Sequence, residues 1–423
     1  MTHNSKNIDH LAAVMKSMGS GRTAIAFGAT LLCLSALAEP IEFNGYIRAG
    51  VGSNSNKGQQ TCFGLAGAGG KYRLGNECDF FSEVSFGYTL PKAEDGATFK
   101  ALLMPGYQIG TFNGDGSGEA ITPYLRQAYV EGSAIPELGG ATVWAGRRFY
   151  KRNNYYPMDF YYWNDALTGA GIDNIALGPR VKLSYALSRA NGAVGVNDSV
   201  TRHEFQLSEI GAGERGTFNL GLTVVGKDSS TPATRGGYAA TVQQNQGFGV
   251  ANQNKLTLQY ARGGAVEVGF VGNQGITAHA ADDTRSRLVD ELFLQLTPSL
   301  SGQADVVYQR DRFATGNQTW TSLGSRLNYA FSPHVKLVAD IGHDRVAVDG
   351  APTRHLTKLT LAPALSLGKG YWDRPSIYLY ATYAKWNDAA RAAASPGSAL
   401  SSSGPFGAAN NGYTLGTQLE AWW

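Results

Sequence analysis

Charge is scarce in this chain of 423 residues: Asp, Glu, Lys and Arg make up only 16%, against roughly 25% in an ordinary soluble domain. The little there is nearly cancels, with 36 Lys and Arg against 33 Asp and Glu. The basic stripe that marks a nucleic-acid-binding surface is therefore missing, and no nucleic-acid partner is expected. Histidine is sparse too. Its seven copies include no H-x-x-x-H or other local ligand spacing, so neither a metal nor a cofactor is expected. After residue 38 no stretch approaches the 18 apolar residues of a membrane-spanning helix. Amphipathic helical periodicity is equally rare. Yet hydrophobic residues reach 43%, which argues against a disordered chain. What the chain does have is glycine, 54 residues, and tyrosine, 21. That is the profile of an all-β protein.

The first 38 residues carry Lys6, Lys16 and Arg22, then the apolar run Thr23 to Leu37, then Ala36-Leu37-Ala38. A charged start, a short apolar centre and a small-x-small exit describe a secretory signal peptide over residues 1–38. The run is too short for a transmembrane anchor. Residues 39–423 then form one mature domain, with no linker or shift in composition to divide it. Two cysteines remain in it, Cys62 and Cys78. An even pair in an exported protein reads as a disulfide, closing a Gly-rich loop and stabilising it by about 3 kcal/mol on loop entropy.

Two-residue alternation dominates the mature chain. In Glu83 to Tyr88 the even positions are apolar, and Lys255 to Tyr260 repeats the pattern. In Glu291 to Leu296 the residues Leu292, Leu294 and Leu296 share one face. Other strands are expected to begin near Ile41, Thr98, Pro123, Ala141, Val181, His203, Phe218, Tyr238 and Val266. Later starts are expected near Ser301, Thr321, Val335, Arg354, Pro375 and Gly412, for about eighteen strands in all. Short links fall at Arg262-Gly263-Gly264 and Ser332-Pro333, and long ones at 50–80, 150–178, 190–202 and 386–411. Strands of ~10 residues joined by alternating short and long links describe a transmembrane antiparallel β-barrel. The last strand agrees. Tyr413, Leu415, Leu419, Ala421 and Trp423 form an apolar face with an aromatic at each end, suited to lipid and its two interfaces.

If the apolar parity faces lipid, the other lines a pore. Tyr46 and Arg48 then point inward together, as do Phe81 with Glu83 and Trp422 with Glu420. A water-filled pore needs no large aromatics. A sugar ring does use them: its C–H faces stack on aromatic rings, and its hydroxyls bond to charged groups, Arg above all. Passage also requires each contact to be weak enough to release.

Several consecutive blocks resemble the maltoporin-like carbohydrate porins. They are Lys71 to Glu77 between the two cysteines, Val143 to Tyr150, Asp159 to Trp163, Arg374-Pro375, Ala381 to Trp386, and Trp422-Trp423. The resemblance covers the mature chain and implies a homotrimer of eighteen-stranded barrels in the outer membrane of a Gram-negative bacterium. It implies passive diffusion of maltose and maltodextrin-type sugars past a constriction loop folded inward after the fifth strand. The aromatic slide would include Tyr46, Phe81, Trp372 and Trp422. The constriction would hold Arg152, Asp159 and Tyr161, and the presence of Arg152 and Tyr161 favours a narrow maltoporin-type pore over the wider sucrose-porin type. Arg48, Arg73, Glu83 and Arg126 would continue a polar track. The chain departs from the family in two places. A slide Trp lent by a neighbouring subunit aligns near Gly118, with only Phe112 close by. A slide Phe aligns near Ala240, with Tyr238 as a substitute.

Three other patterns bear on function. Gly211 to Gly216 fits G-x-G-x-x-G, but a strand follows it where a dinucleotide fold needs a helix. Arg147, Arg148, Lys151 and Arg152 could together make a pore prefer anions. A barrel enzyme would need a Ser, His and acid constellation, and no local motif supplies one.

Overall fold

A computed structural model describes residues 41–110, 120–191, 199–226, 236–267 and 279–423. The expected signal peptide and the Phe112 and Gly118 positions lie outside the described residues. Alternation becomes strands almost throughout. The first six are β1 (Glu42–Asn54), β2 (Phe80–Thr89), β3 (Thr98–Ile109), β4 (Ile121–Ser133), β5 (Thr142–Tyr155) and β6 (Phe160–Ala176). Next come β7 (Lys182–Asn191), β8 (Ser199–Gly211), β9 (Gly216–Val225), β10 (Gly237–Phe248), β11 (Asn252–Gly263) and β12 (Thr284–Thr297). The last are β13 (Leu300–Phe313), β14 (Gly316–Ala330), β15 (Val335–Val348), β16 (Arg354–Ser366), β17 (Ser376–Trp386) and β18 (Asn411–Trp422). Each pairs antiparallel with its chain neighbours, and β1 pairs with β18 from Tyr46↔Trp422 to Asn54↔Thr414, so the sheet closes. Closure leaves no sheet edge at the seam and satisfies the backbone polar groups where lipid cannot.

The outward parity is apolar. On β16, β17 and β18 it presents Leu359, Leu361, Leu365, Leu379, Tyr383, Tyr413 and Leu415, all exposed. The inward parity carries buried polar groups such as Asp305, Arg326, Asp340, Lys358 and Glu420. That is the lipid-out, polar-in division of a membrane barrel. The end holding Glu42 and Trp422 has the tighter links, and the opposite end the longer ones.

Two assignments along the chain change, and they offset in the count. No strand begins at Val266. The chain turns at Gly263, where φ is +64°, and β11 pairs directly with β12 from Gln253↔Phe293 to Arg262↔Thr284. No further strand of the sheet can lie between them, so Arg262-Gly263-Gly264 is not a short turn between neighbouring strands, and residues 268–278 of the expected strand lie outside the described residues. Conversely, 150–178 is not a loop but the end of β5, a single 3-10 turn at Tyr156–Met158, and β6. Its alternation is hidden because both faces are occupied: Tyr155, Met158, Phe160, Tyr162 and Trp163 are all buried.

This hairpin makes the constriction. β4 and β5 pair only from Ala128↔Arg147 to Gly132↔Val143, and β6 meets β7 only from Gly169 onward. Between those points β5 and β6 pair with each other alone and leave the wall for the lumen. The inward element after the fifth strand is therefore a bent hairpin. A second inward element is the β1–β2 link, closed by the Cys62–Cys78 disulfide. Its Tyr72 lies against Gly324 and Gly342, where any Cβ would overlap the ring. The Tyr72 hydroxyl bonds Asp305 at 3.2 Å and Ser322 at 2.8 Å. Lys358 donates to the Tyr72 carbonyl at 3.0 Å, and Arg354 to that of Ala66 at 3.0 Å.

Candidate functional site

The two inward elements and the wall enclose a cavity of about 890 Å³. β1 contributes Tyr46 and Arg48, and β2 contributes Phe81 and Glu83. Alternation alone had placed these four inward, and Trp422 of β18 with them. Arg126 comes from β4 beside a bulge at Met104/Pro105. The hairpin supplies Arg152, Asp159 and Tyr161; the β1–β2 link supplies Arg73; the β16–β17 link supplies Trp372.

Tyr238 is the exception. It is 43% exposed on the outer wall and packs beside Tyr260 of β11, also outward, at 6.2 Å between ring centres. Ala240 shares that outward face, while Ala239, Thr241 and Gln243 are buried on the lumen side. The polar alternation of β10 decides its orientation, so Tyr238 cannot substitute for a slide aromatic.

Three other lumen aromatics were not anticipated. Phe149 and Tyr156 lie where a bulge between Phe149 and Lys151 and the 3-10 turn interrupt parity. Phe293 had a legible signal, since it shares the parity of inward Glu291. With these added, ring contacts run across the cavity. Phe81 lies 6.2 Å from Tyr46, Tyr156 lies 5.3 Å from Trp372 and 6.1 Å from Trp422, and Trp372 lies 6.3 Å from Phe293. The ring of Trp372 is 44% exposed, open to the lumen.

Ionised groups flank the rings and are cross-linked. Arg48 grips Asp79 with two hydrogen bonds, at 3.2 and 2.9 Å, and stands 5.0 Å over Phe81. Arg126 donates to Glu83 at 2.5 Å, and Arg152 reaches the same carboxylate at 3.7 Å and Tyr161 at 3.1 Å. Glu420 is the hub on the other side. It accepts from Tyr46 at 3.0 Å and Arg374 at 2.9 Å, pairs with Arg73 at 3.1 Å, and takes the Tyr156 hydroxyl as well. Arg73 is buried and also donates to Glu77 at 2.8 Å, so it anchors the network more than it faces the lumen. Burial opposes ionisation of Glu77, but Arg73, Lys71 and Arg48 outweigh it and hold its pKa down at about 2. Of the basic cluster at 147–152, only Arg152 lines the cavity. Arg148 is tied to Asp173 at 3.1 Å and Glu131 at 3.6 Å, and Lys151 lies over Trp163.

A closed antiparallel barrel of eighteen strands, apolar outside and lined with ionised groups around a narrowed cavity, is the architecture of a porin, a channel of the Gram-negative outer membrane. The chain belongs to the LamB porin family, whose model matches residues 41–423. Among solved structures, the outer membrane protein opdK of Pseudomonas aeruginosa is similar with a TM-score of 0.51 and 9% identity, over 91% of this chain and 99% of that one. OccAB1 of Acinetobacter baumannii is similar with a TM-score of 0.50 and 11% identity, over 92% and 98% of the two chains. At such identities the likeness concerns the fold.

Proposed function

We propose that this porin passes oligosaccharides of the maltose and maltodextrin type by passive, facilitated diffusion, working as a homotrimer embedded in outer-membrane lipid. The observation that carries the reading is the file of rings from Phe81 and Tyr46 through Tyr156 to Trp422, Trp372 and Phe293, bordered throughout by Arg, Glu and Asp. The rings offer apolar faces to sugar C–H groups, and the borders offer charge-assisted hydrogen bonds to hydroxyls. Each contact is modest, so a sugar exchanges one for the next instead of being trapped. Replacement of a slide Tyr by Phe81 keeps the stacking face and removes one hydroxyl.

A general anion-preferring pore is less well supported, because the basic cluster expected to create it disperses: Arg148 is neutralised by two carboxylates. The test is single-channel conductance in a planar bilayer with a panel of neutral oligosaccharides. Reversible block that strengthens with maltodextrin length is expected. A pore indifferent to every sugar at millimolar concentration refutes the reading.

A further inference from the structure

A second feature lies on the outside of the barrel. Counted outward-facing residue by residue from the tight-turn end, β13 runs Leu300, Gly302, Ala304, Val306, Tyr308, then Arg310 and Arg312. On β15 the apolar series closes at Ile341 and gives way to His343 and Arg345. On β16 it is Leu359, Thr357, then His355; on β17 it is Tyr383, then Lys385. β14 interposes Thr321 and Thr319 at the same height. Five adjacent strands thus change from apolar to cationic or hydroxylic at one boundary, at the end with the longer loops. Long loops mark the external side of an outer-membrane barrel.

The patch has no internal counter-charge. No outward position of β13 to β17 is Asp or Glu. Arg310, Arg312, Arg345 and Lys385 form no ion pair with any described residue. By contrast Arg262 on β11, at the same end, is paired with Asp282. The basic side chains are also close together. Arg345 faces His355 directly across β15 and β16, and the rings of His343 and His355 are 5.6 Å apart. Four inter-strand spacings make the patch roughly 19 Å wide, the scale of a lipid headgroup and not of a single ion.

We infer that this face binds the phosphorylated headgroup of a glycolipid in the outer leaflet, with Arg310, Arg312, Arg345 and Lys385 on its phosphates. Thr319 and Thr321 stand between the cations as hydroxyl partners for sugar or phosphate oxygens. The position argues for a lipid over a soluble phosphate: the cations adjoin the apolar band, where the acyl chains of the same molecule would lie. Arg and Lys at such a boundary attract anionic lipid with additive strength, and Arg adds bidentate geometry on phosphate.

The test uses the full-length barrel in detergent, with bis-phosphorylated lipid A and its fully dephosphorylated counterpart as probes, retention being read by native mass spectrometry. The parent is expected to hold the phosphorylated form at least about tenfold more tightly. The combined variant Arg310→Gln, Arg312→Gln, Arg345→Gln, Lys385→Gln should lose that preference, with single-channel conductance unchanged as proof of folding. Lys182→Gln, at the far end and paired with Glu209 at 2.7 Å, should keep it. Equal retention of the two lipids by the parent overturns the inference, as does an undiminished preference in the combined variant.

Discussion

Replacing Glu420 by Gln tests whether the lumen network is held as described. The side chains of Glu420, Arg73 and Arg374 are 2%, 6% and 3% exposed, so the charges are effectively out of water. Removing the carboxylate charge does not strand both arginines equally. Arg73 keeps Glu77 at 2.8 Å. Arg374 keeps only neutral partners, the carbonyls of Tyr371 and Asp373 and the hydroxyl of Tyr156. One uncompensated buried cation costs about 3–5 kcal/mol, and that, not twice that, is the expected loss in Glu420→Gln. Because Arg374 lies in the link that carries Trp372, sugar block should weaken together with stability. Arg374→Gln on top of Glu420→Gln removes the stranded charge, so the double variant should recover much of the loss, a coupling read by a double-mutant cycle. Denaturant unfolding followed by intrinsic fluorescence supplies the free energies. A Glu420→Gln barrel within about 1 kcal/mol of the parent, or a double variant no more stable than the single, refutes the reasoning.

Three further outcomes are expected. Trp422→Ala removes one stacking face worth about 1 kcal/mol and should weaken sugar block about fivefold with ion conductance nearly intact, whereas Tyr238→Ala, on the outer wall, should leave block unchanged. Gly342→Val places a side chain where the Tyr72 ring lies; overpacking of this kind costs about 1–3 kcal/mol, and release of the β1–β2 link should appear as a larger and noisier single-channel current. Glu77 has its pKa lowered to about 2, below the ~4.3 of a free Glu, so its stabilisation is full above that value and is lost as pH falls through about 2. Unfolding measured between pH 5 and 2 should show this dependence, and Glu77→Gln should flatten it.

Where one face of a strand meets lipid and the other meets the lumen, the pattern of the chain was enough. Tyr46, Arg48, Phe81, Glu83 and Trp422 were placed inward by parity, and the cavity they line agrees. Phe293 could have been added on the same grounds, and Tyr238 rejected, since β10 alternates plainly. Arg152, Asp159, Tyr161, Arg73, Arg126 and Trp372 came from resemblance, because they sit in links, beside bulges or on a hairpin with no outward face. Phe149 and Tyr156 escaped both routes.

The difference between the two groups is one of range. Which way a wall residue points depends on its own position modulo two, so composition and alternation alone determined a lipid-facing barrel of about eighteen strands. Which segments fold into the lumen depends on partners far off in the chain. Tyr72 is held by Asp305 and Ser322, Tyr162 by Glu291, and Tyr156 by Arg374 and Glu420. No local pattern encodes such pairs. They form only once closure of the sheet has brought β13, β14 and β18 around the hairpin and the disulfide loop, and with them the width and chemistry of the pore.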